Sequence, residues 1–176
     1  MKPLEYPTAV WEQARHIRLL LLDVDGVLTD GRIIYTDSGQ EIKFFHVRDG
    51  HGIKLAQRMG IEVALITGRH SEVVNHRARD LGITRIFQAV RDKIAILQEL
   101  LELLKLEPQQ VAAMGDDLVD LALFRRVGLA IAVADAVPEV QTAAHWVTSF
   151  PGGRGAVREV CELLLKAQGF WNQLID

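Results

Sequence analysis

Asp23 and Asp25 stand two residues apart, directly after the apolar run Leu19–Leu22. On extended backbone, residues i and i+2 share a face, so both carboxylates project from one side of the strand end. One of them, ionised with an ordinary pKa near ~3.9, can act as a nucleophile. The other can shuttle a proton if its surroundings raise its pKa. Gly26 lets the chain turn sharply behind them. Three further sites have matching chemistry. Thr67-Gly68-Arg69 offers a hydroxyl, backbone N–H groups and a guanidinium, which together can hold a phosphate or carboxylate. Lys93 offers an ammonium that can neutralise a phosphoryl group and nearby acids. Gly115-Asp116-Asp117-Leu118-Val119-Asp120 gathers carboxylates that repel one another unless a cation sits among them. Hard oxygen ligands and no cysteine set favour Mg²⁺ there. Each site also has a plain structural alternative: an acidic turn, a helix-capping loop, a surface lysine, or acids favoured at a helix N-terminus.

The elements that must position these residues alternate along the chain. Leu19–Val24, Ile61–Ile66, Thr84–Ala89, Val111–Met114, Leu129–Val133 and, more weakly, His145–Thr148 read as strands. Between them, Asp49–Met59 reads as a helix closed by Gly60. Val74, Ala78 and Leu81 form a helical face between an N-capping Ser71 and Gly82. Ile94, Leu97, Leu100, Leu101 and Leu104 form another, ending before Pro108. Leu118–Val127, a short helix opening at Pro138, and Ala156–Gln168 complete the set. Alternation of this kind implies an α/β fold, a doubly wound parallel, Rossmann-like sheet with helices on both faces. Ligands in such sheets bind beyond the carboxyl ends of the strands, where all four chemical sites fall.

Gly31–Val47 interrupts the alternation after the first strand. Arg32–Thr36 and Glu41–Phe45 flank Asp37-Ser38-Gly39-Gln40 and read as an antiparallel hairpin. Two strands alone cannot bury Ile33, Ile34, Tyr35, Ile42, Phe44 and Phe45, so partner strands from other subunits are expected; the alternative is a hairpin folded back on its own domain.

The 176 residues fit a single domain spanning 1–176, with the hairpin inserted at about 31–47 and a C-terminal tail from about 151. Twenty basic against 23 acidic residues give a net charge of −3, which announces neither a nucleic-acid nor a membrane partner. No apolar run reaches the ~20 residues of a membrane span. Lys2, Pro3, Glu5 and Pro7 leave no room for a leader's apolar segment, and the lone Cys161 suits a reducing, cytoplasmic compartment. Cys161, Trp11, Trp146, Trp171 and the Leu97–Leu104 stripe read as packing residues, and the six histidines show no ligand spacing.

In this order, each after an expected strand, Asp-x-Asp, Thr, Lys and Gly-Asp-Asp-x-x-Asp resemble the haloacid dehalogenase superfamily of phosphotransferases, from Leu19 to about Val133. The resemblance implies Asp23 as the nucleophile and Asp25 as the acid–base. It implies Thr67 and Lys93 as phosphate-binding residues. Asp116, with Asp23 and the Asp25 backbone carbonyl, would ligate Mg²⁺, supported by Asp117 and Asp120. The short 31–47 insertion and the short Thr67–Lys93 segment match the capless subclass.

Asp-Val-Asp-Gly-Val-Leu-Thr-Asp-Gly (23–31), Val-Arg-Asp-Gly (47–50), Gly-Asp-Asp (115–117) and Gly-Gly-Arg-Gly-Ala-Val-Arg-Glu (152–159) closely resemble one capless family, the 3-deoxy-D-manno-octulosonate 8-phosphate phosphatases. That resemblance implies an enzyme of lipopolysaccharide precursor synthesis, a homotetramer joined through the hairpins, and a neighbour's tail closing the site. Arg69, Arg48, Gly68 and Arg154 are the candidates to bind the sugar acid, with Arg48 alternatively pairing with Asp49. Gly152, Gly153 and Gly155 give the tail the freedom of a lid, or form a plain helix-leading loop. A phosphatase for a nine-carbon sugar acid 9-phosphate shares every catalytic residue, and a non-catalytic binding subunit of the same fold is the reading from another class.

Overall fold

The computed structural model describes residues 6–175, so the leader reading of Lys2, Pro3 and Glu5 lies outside the described residues. In chain order the elements are α1 (Thr8–Ala14), β1 (Leu19–Leu22), β2 (Ile34–Tyr35), β3 (Glu41–Ile42), α2 (Val47–Arg58) and β4 (Glu62–Ile66). Then come α3 (Glu72–Leu81), β5 (Arg85–Phe87), α4 (Lys93–Leu104), β6 (Val111–Gly115) and α5 (Leu121–Phe124). The chain closes with β7 (Leu129–Ala132), α6 (Pro138–Ala143), β8 (Trp146–Val147), α7 (Ala156–Ala167) and α8 (Asn172–Ile175). Six strands form one parallel sheet in the order β5-β4-β1-β6-β7-β8, and β2 pairs with β3 antiparallel, separately.

The central strand is four leucines, all fully buried. A strand covered on both faces reads as a continuous apolar run because neither side meets water. Right-handed crossovers put α2 and α3 on one face and α4, α5 and α6 on the other. α7 packs along α2, and α1 packs on α7. After β1 the chain winds outward to β4 and β5, then crosses back to β6 and β7. The winding therefore reverses between β1 and β6, and a crevice opens there at the strand ends. Asp23 and Asp116 flank it.

Several elements differ from their sequence expectations. α1 has no counterpart among those expectations; Val10, Ala14 and Ile17 are its buried face and the loop behind it. Leu118–Val127 is not one helix but a 3₁₀ turn, Leu118–Asp120, followed by α5, because the Asp120 side chain turns back onto the Asp116 and Asp117 N–H groups and tightens the first turn. Ser71 precedes α3 but does not cap it; its hydroxyl is taken by Glu41. The hairpin ladder is only two residues on each side, since no third strand extends it.

The hairpin also faces the other way from a usual amphipathic ribbon. Ile33, Tyr35 and Phe44 are more than half exposed, whereas the Lys43 side chain is 1% exposed. Its charged edge folds onto its own domain and its apolar edge faces outward.

A Leu21→Ala chain is expected to lose about 2–5 kcal/mol in urea unfolding, with an unchanged m-value, because the filled space between sheet and helices has no slack.

Candidate active site

Asp23 leaves β1 beside β6: its N–H donates to the Met114 carbonyl at 3.2 Å. Its carboxylate meets Lys93, whose Nζ donates to Asp23 Oδ1 at 2.6 Å and to Asp120 Oδ1 at 2.7 Å. Lys93 is the first residue of α4, and Asp92 caps that helix by accepting from the N–H groups of Ile94 and Ala95. The cap fixes where the helix begins, and so where the ammonium points. The second oxygen of Asp120 accepts from the Asp116 N–H at 3.0 Å and the Asp117 N–H at 3.3 Å. Asp120, 1% exposed, is thus the brace that ties the β6 end to the lysine.

Asp116 rests on Gly26, where an added Cβ would lie 2.0 Å from Asp116 Oδ2. With φ at +90° as well, position 26 requires glycine on two counts. Asp23, Asp116 and Asp120 together face the single Lys93 ammonium. Burial would depress the lysine pKa, but Asp23 and Asp120 outweigh it and hold the pKa above its ordinary value. Burial raises the Asp23 carboxyl to about 6, with Asp120 and Asp25 adding to the rise and Lys93 opposing it. Burial, then Asp23, Asp120 and Asp117, raise Asp116 to about 7. The crevice therefore holds more negative charge than its lysine offsets, which suits a divalent cation. Among the described residues no three His, Cys, Asp or Glu side chains converge into a metal cluster. Two carboxylates and a backbone carbonyl remain a fitting set for Mg²⁺, which keeps several waters and takes few protein ligands.

Asp25 faces outward from the same strand end, and the hairpin closes over it. Lys43 Nζ donates to Asp25 Oδ1 and lies 3.3 Å from Glu41 Oε1. Arg69 reaches the same group: Nε is 3.7 Å from Asp25 Oδ2, and a terminal nitrogen donates to Glu41 Oε1 at 2.7 Å. Burial pushes Glu41 up, but the Ser71 hydroxyl, Lys43 and Arg69 together hold it below the usual carboxylate range. Lys43 and Glu41 were not among the sequence candidates. Their i, i+2 spacing on a strand puts them on one face. Nothing in that spacing says which way the hairpin folds.

The remaining candidates divide. Thr67 is buried at the end of β4, and its hydroxyl accepts from the Arg69 N–H at 3.3 Å, holding the loop that presents both. Gly68 is exposed at the crevice mouth, and a Cβ there would come no closer than 3.7 Å to the Val90 carbonyl, so space does not require glycine. Asp117 caps the 3₁₀ turn through the Leu118 N–H at 2.7 Å. Arg48 does not pair with Asp49, which turns toward α7; Arg48 and Arg154 instead line a separate pocket of about 400 Å³ beside Phe150 and Arg158. Gly152, Gly153 and Gly155 form a packed helix-leading loop rather than a free lid. A Cβ on Gly152 would lie 1.7 Å from the Gly26 carbonyl oxygen. Trp171 lies against Arg158 and Lys166, so the described C-terminal residues follow their own α7.

Comparison with known proteins gives the family. Residues 82–158 match the haloacid dehalogenase-like hydrolase family. A 3-deoxy-D-manno-octulosonate 8-phosphate phosphatase of Escherichia coli K12 is 52% identical over 157 residues, 89% of this chain and 84% of that protein. The chain belongs to that phosphatase family of haloacid dehalogenase-like hydrolases. The crystal structure of the family's Yersinia pestis enzyme superposes with a TM-score of 0.93 at 48% identity, covering 94% of this chain and 89% of that one. The Moraxella catarrhalis phosphatase, solved with a magnesium ion, a phosphate ion and KDO, superposes with a TM-score of 0.94 at 42% identity, covering 97% of this chain and 98% of that one. No helix among the described residues is long and apolar enough to cross a membrane.

The raised carboxyls of the family's crevice set a pH dependence. Asp23 and Asp116 bind protons more tightly folded than unfolded, so their contribution is largest at low pH and is lost as pH rises through about 6 to 7. The metal-free protein should melt at a lower temperature at pH 7.5 than at pH 5.5. Saturating Mg²⁺ should raise the melting temperature more at pH 7.5 than at pH 5.5, as differential scanning fluorimetry would read.

Proposed function

We propose that the chain hydrolyses 3-deoxy-D-manno-octulosonate 8-phosphate to the free sugar acid and phosphate, as a cytoplasmic step in making lipopolysaccharide precursors. The observation that carries this is the Asp23–Lys93–Asp120 contact at the sheet's switch point, with Asp25 beside it and Asp116 facing it. A carboxylate nucleophile held by an ammonium, next to a second carboxyl, is what phosphoryl transfer through a covalent intermediate requires.

The Asp23 carboxylate attacks phosphorus, and the bond from phosphorus to the sugar oxygen breaks. Asp25 gives that oxygen its proton, and the phosphoryl group stays on Asp23. The same Asp25, now a carboxylate, takes a proton from the water that attacks phosphorus. Phosphate leaves and Asp23 is free again. Lys93 lies within reach of both Asp23 and the charge that builds on the phosphoryl oxygens. The Thr67 hydroxyl and the backbone N–H groups after it are offered to those oxygens. Mg²⁺, held by the Asp23 and Asp116 carboxylates and the Asp25 backbone carbonyl, would supply the remaining positive charge. Arg69 stands at the mouth beside Lys43 and is the first choice to take the sugar acid's carboxylate. Arg48 and Arg154 lie in their own pocket and have the weaker claim.

The exposed edge of Ile33, Tyr35, Ile42 and Phe44 supports association through the hairpins as a homotetramer. The fully buried Cys161 thiol suits a reducing compartment.

Phosphate release with Mg²⁺ should be fastest from 3-deoxy-D-manno-octulosonate 8-phosphate, against a nine-carbon sugar acid 9-phosphate and simple sugar phosphates. Preference for the nine-carbon acid would keep the chemistry and replace the substrate. Release from none would leave a binding subunit. Asp23→Asn should abolish turnover and keep the fold; activity retained in it removes the nucleophile from Asp23. Light scattering should give a tetramer that Phe44→Glu dissociates, and a monomeric parent chain would end the hairpin proposal.

A further inference from the structure

We infer that Asp49 is a positioning residue for this reaction, acting through the glycine loop Gly152–Gly155 on the backbone behind the nucleophile. Asp49 sits in the first turn of α2 and is 1% exposed. Its side chain serves another helix. Oδ1 accepts from the Arg158 N–H at 2.8 Å and Oδ2 accepts from the Gly155 N–H at 3.2 Å. Both donors belong to the start of α7, where backbone N–H groups have no partner within the helix. α7 cannot cap itself, because the residue before it is Gly155, with φ at +112° and no side chain. A carboxylate from α2 takes that place, with its charge favourably set against the helix dipole. The reach depends on Gly52, where a Cβ would stand 3.2 Å from Arg158 Cα and 3.2 Å from Cys161 Cβ. The two backbones touch there, and Asp49, three residues earlier, meets the helix end.

What Asp49 holds is the support of the catalytic turn. Gly153 N–H donates to the Val27 carbonyl at 2.9 Å. A Cβ on Gly153 would lie 2.5 Å from the Thr29 carbonyl carbon, and one on Gly152 would overlap the Gly26 carbonyl. The Gly152 N–H is anchored from the other side by the exposed Asp135, at 2.9 Å. The 152–153 backbone is therefore in contact with the turn 26–29, whose first residue follows Asp25 and bears the Asp116 carboxylate. Asp49 touches none of Asp23, Asp25, Thr67 or Lys93. It influences them by fixing where α7 starts, and through that the loop and the turn. Phosphoryl transfer is sensitive to displacements on this scale, since about 1 Å of misplacement can cost about 10²-fold in rate.

Asp49→Asn keeps the size of the side chain, removes its charge and turns an amide N–H toward one backbone donor. In the Mg²⁺-loaded enzyme, kcat is expected to fall about tenfold or more with KM within about twofold of the parent. Backbone hydrogen exchange should quicken in residues 24–30 as well as in 152–158. A kcat within about twofold of the parent, or quickened exchange confined to 152–158, overturns the inference and leaves Asp49 a helix cap only. If Asp49→Asn does not fold, Asp135→Ala loosens the same loop from its exposed anchor. A several-fold loss of kcat with quickened exchange at 24–30 is then expected, and unchanged values overturn the inference. The inference rests on the phosphatase reading; a parent chain that releases no phosphate ends that reading, while the exchange comparison still judges whether Asp49 fixes the turn.

Discussion

A lysine ammonium buried among carboxylates is the constraint around which this fold is arranged. Lys93 lies under the sheet's carboxyl edge, bonded to Asp23 and Asp120. Leaving one partner of such a contact alone in the interior costs several kcal/mol. The three elements that supply the groups must therefore arrive together: β1 with Asp23, the turn after β6 with Asp120, and the capped first residue of α4. None is adjacent to another in the chain. The parallel sheet brings them together because its winding reverses between β1 and β6, and the leucines of β1 lock the sheet into the core. The contact is also unbalanced, since Asp116 adds a charge that Lys93 does not offset. That imbalance costs stability in the metal-free chain and creates affinity for a cation.

A second set of charges lies just outside the first. Lys43, Glu41, Arg69 and Ser71 form a continuous network over Asp25. The hairpin that supplies Lys43 and Glu41 is too small to be a substrate-selecting cap domain, yet it reaches the Asp25 carboxyl directly. Ile33, Tyr35 and Phe44 are left facing outward. One short insertion thus has two chemically distinct edges, a charged one over Asp25 and an apolar one facing outward.

Glycines in this chain are used for closeness more than for motion. Gly26 lets a carboxylate lie on the backbone, Gly52 lets α2 and α7 touch, and Gly152 and Gly153 let the loop before α7 pack on the turn 26–29. Read as a string, Gly-Gly-Arg-Gly fits a free lid or a plain helix-leading loop equally. In the fold the same residues are held by Asp49, Asp135 and Val27. Composition cannot distinguish the two, because a missing side chain permits mobility and close packing equally.

The sequence alone determined the α/β alternation, the strands that end in chemistry, and the candidate set Asp23, Asp25, Thr67, Lys93 and Asp116. Those features are local: apolar runs, capping residues and motif spacing are written in neighbouring positions. Tertiary structure alone decided that Asp120 braces Lys93 to β6, that Lys43 and Glu41 turn inward over Asp25, that Arg48 and Arg154 share a pocket of their own, and that Asp49 caps a helix 106 residues further along the chain. These are contacts between residues distant in the chain. Their partners are chosen by where sheet winding and helix packing place charges with no access to water, and no local pattern encodes that.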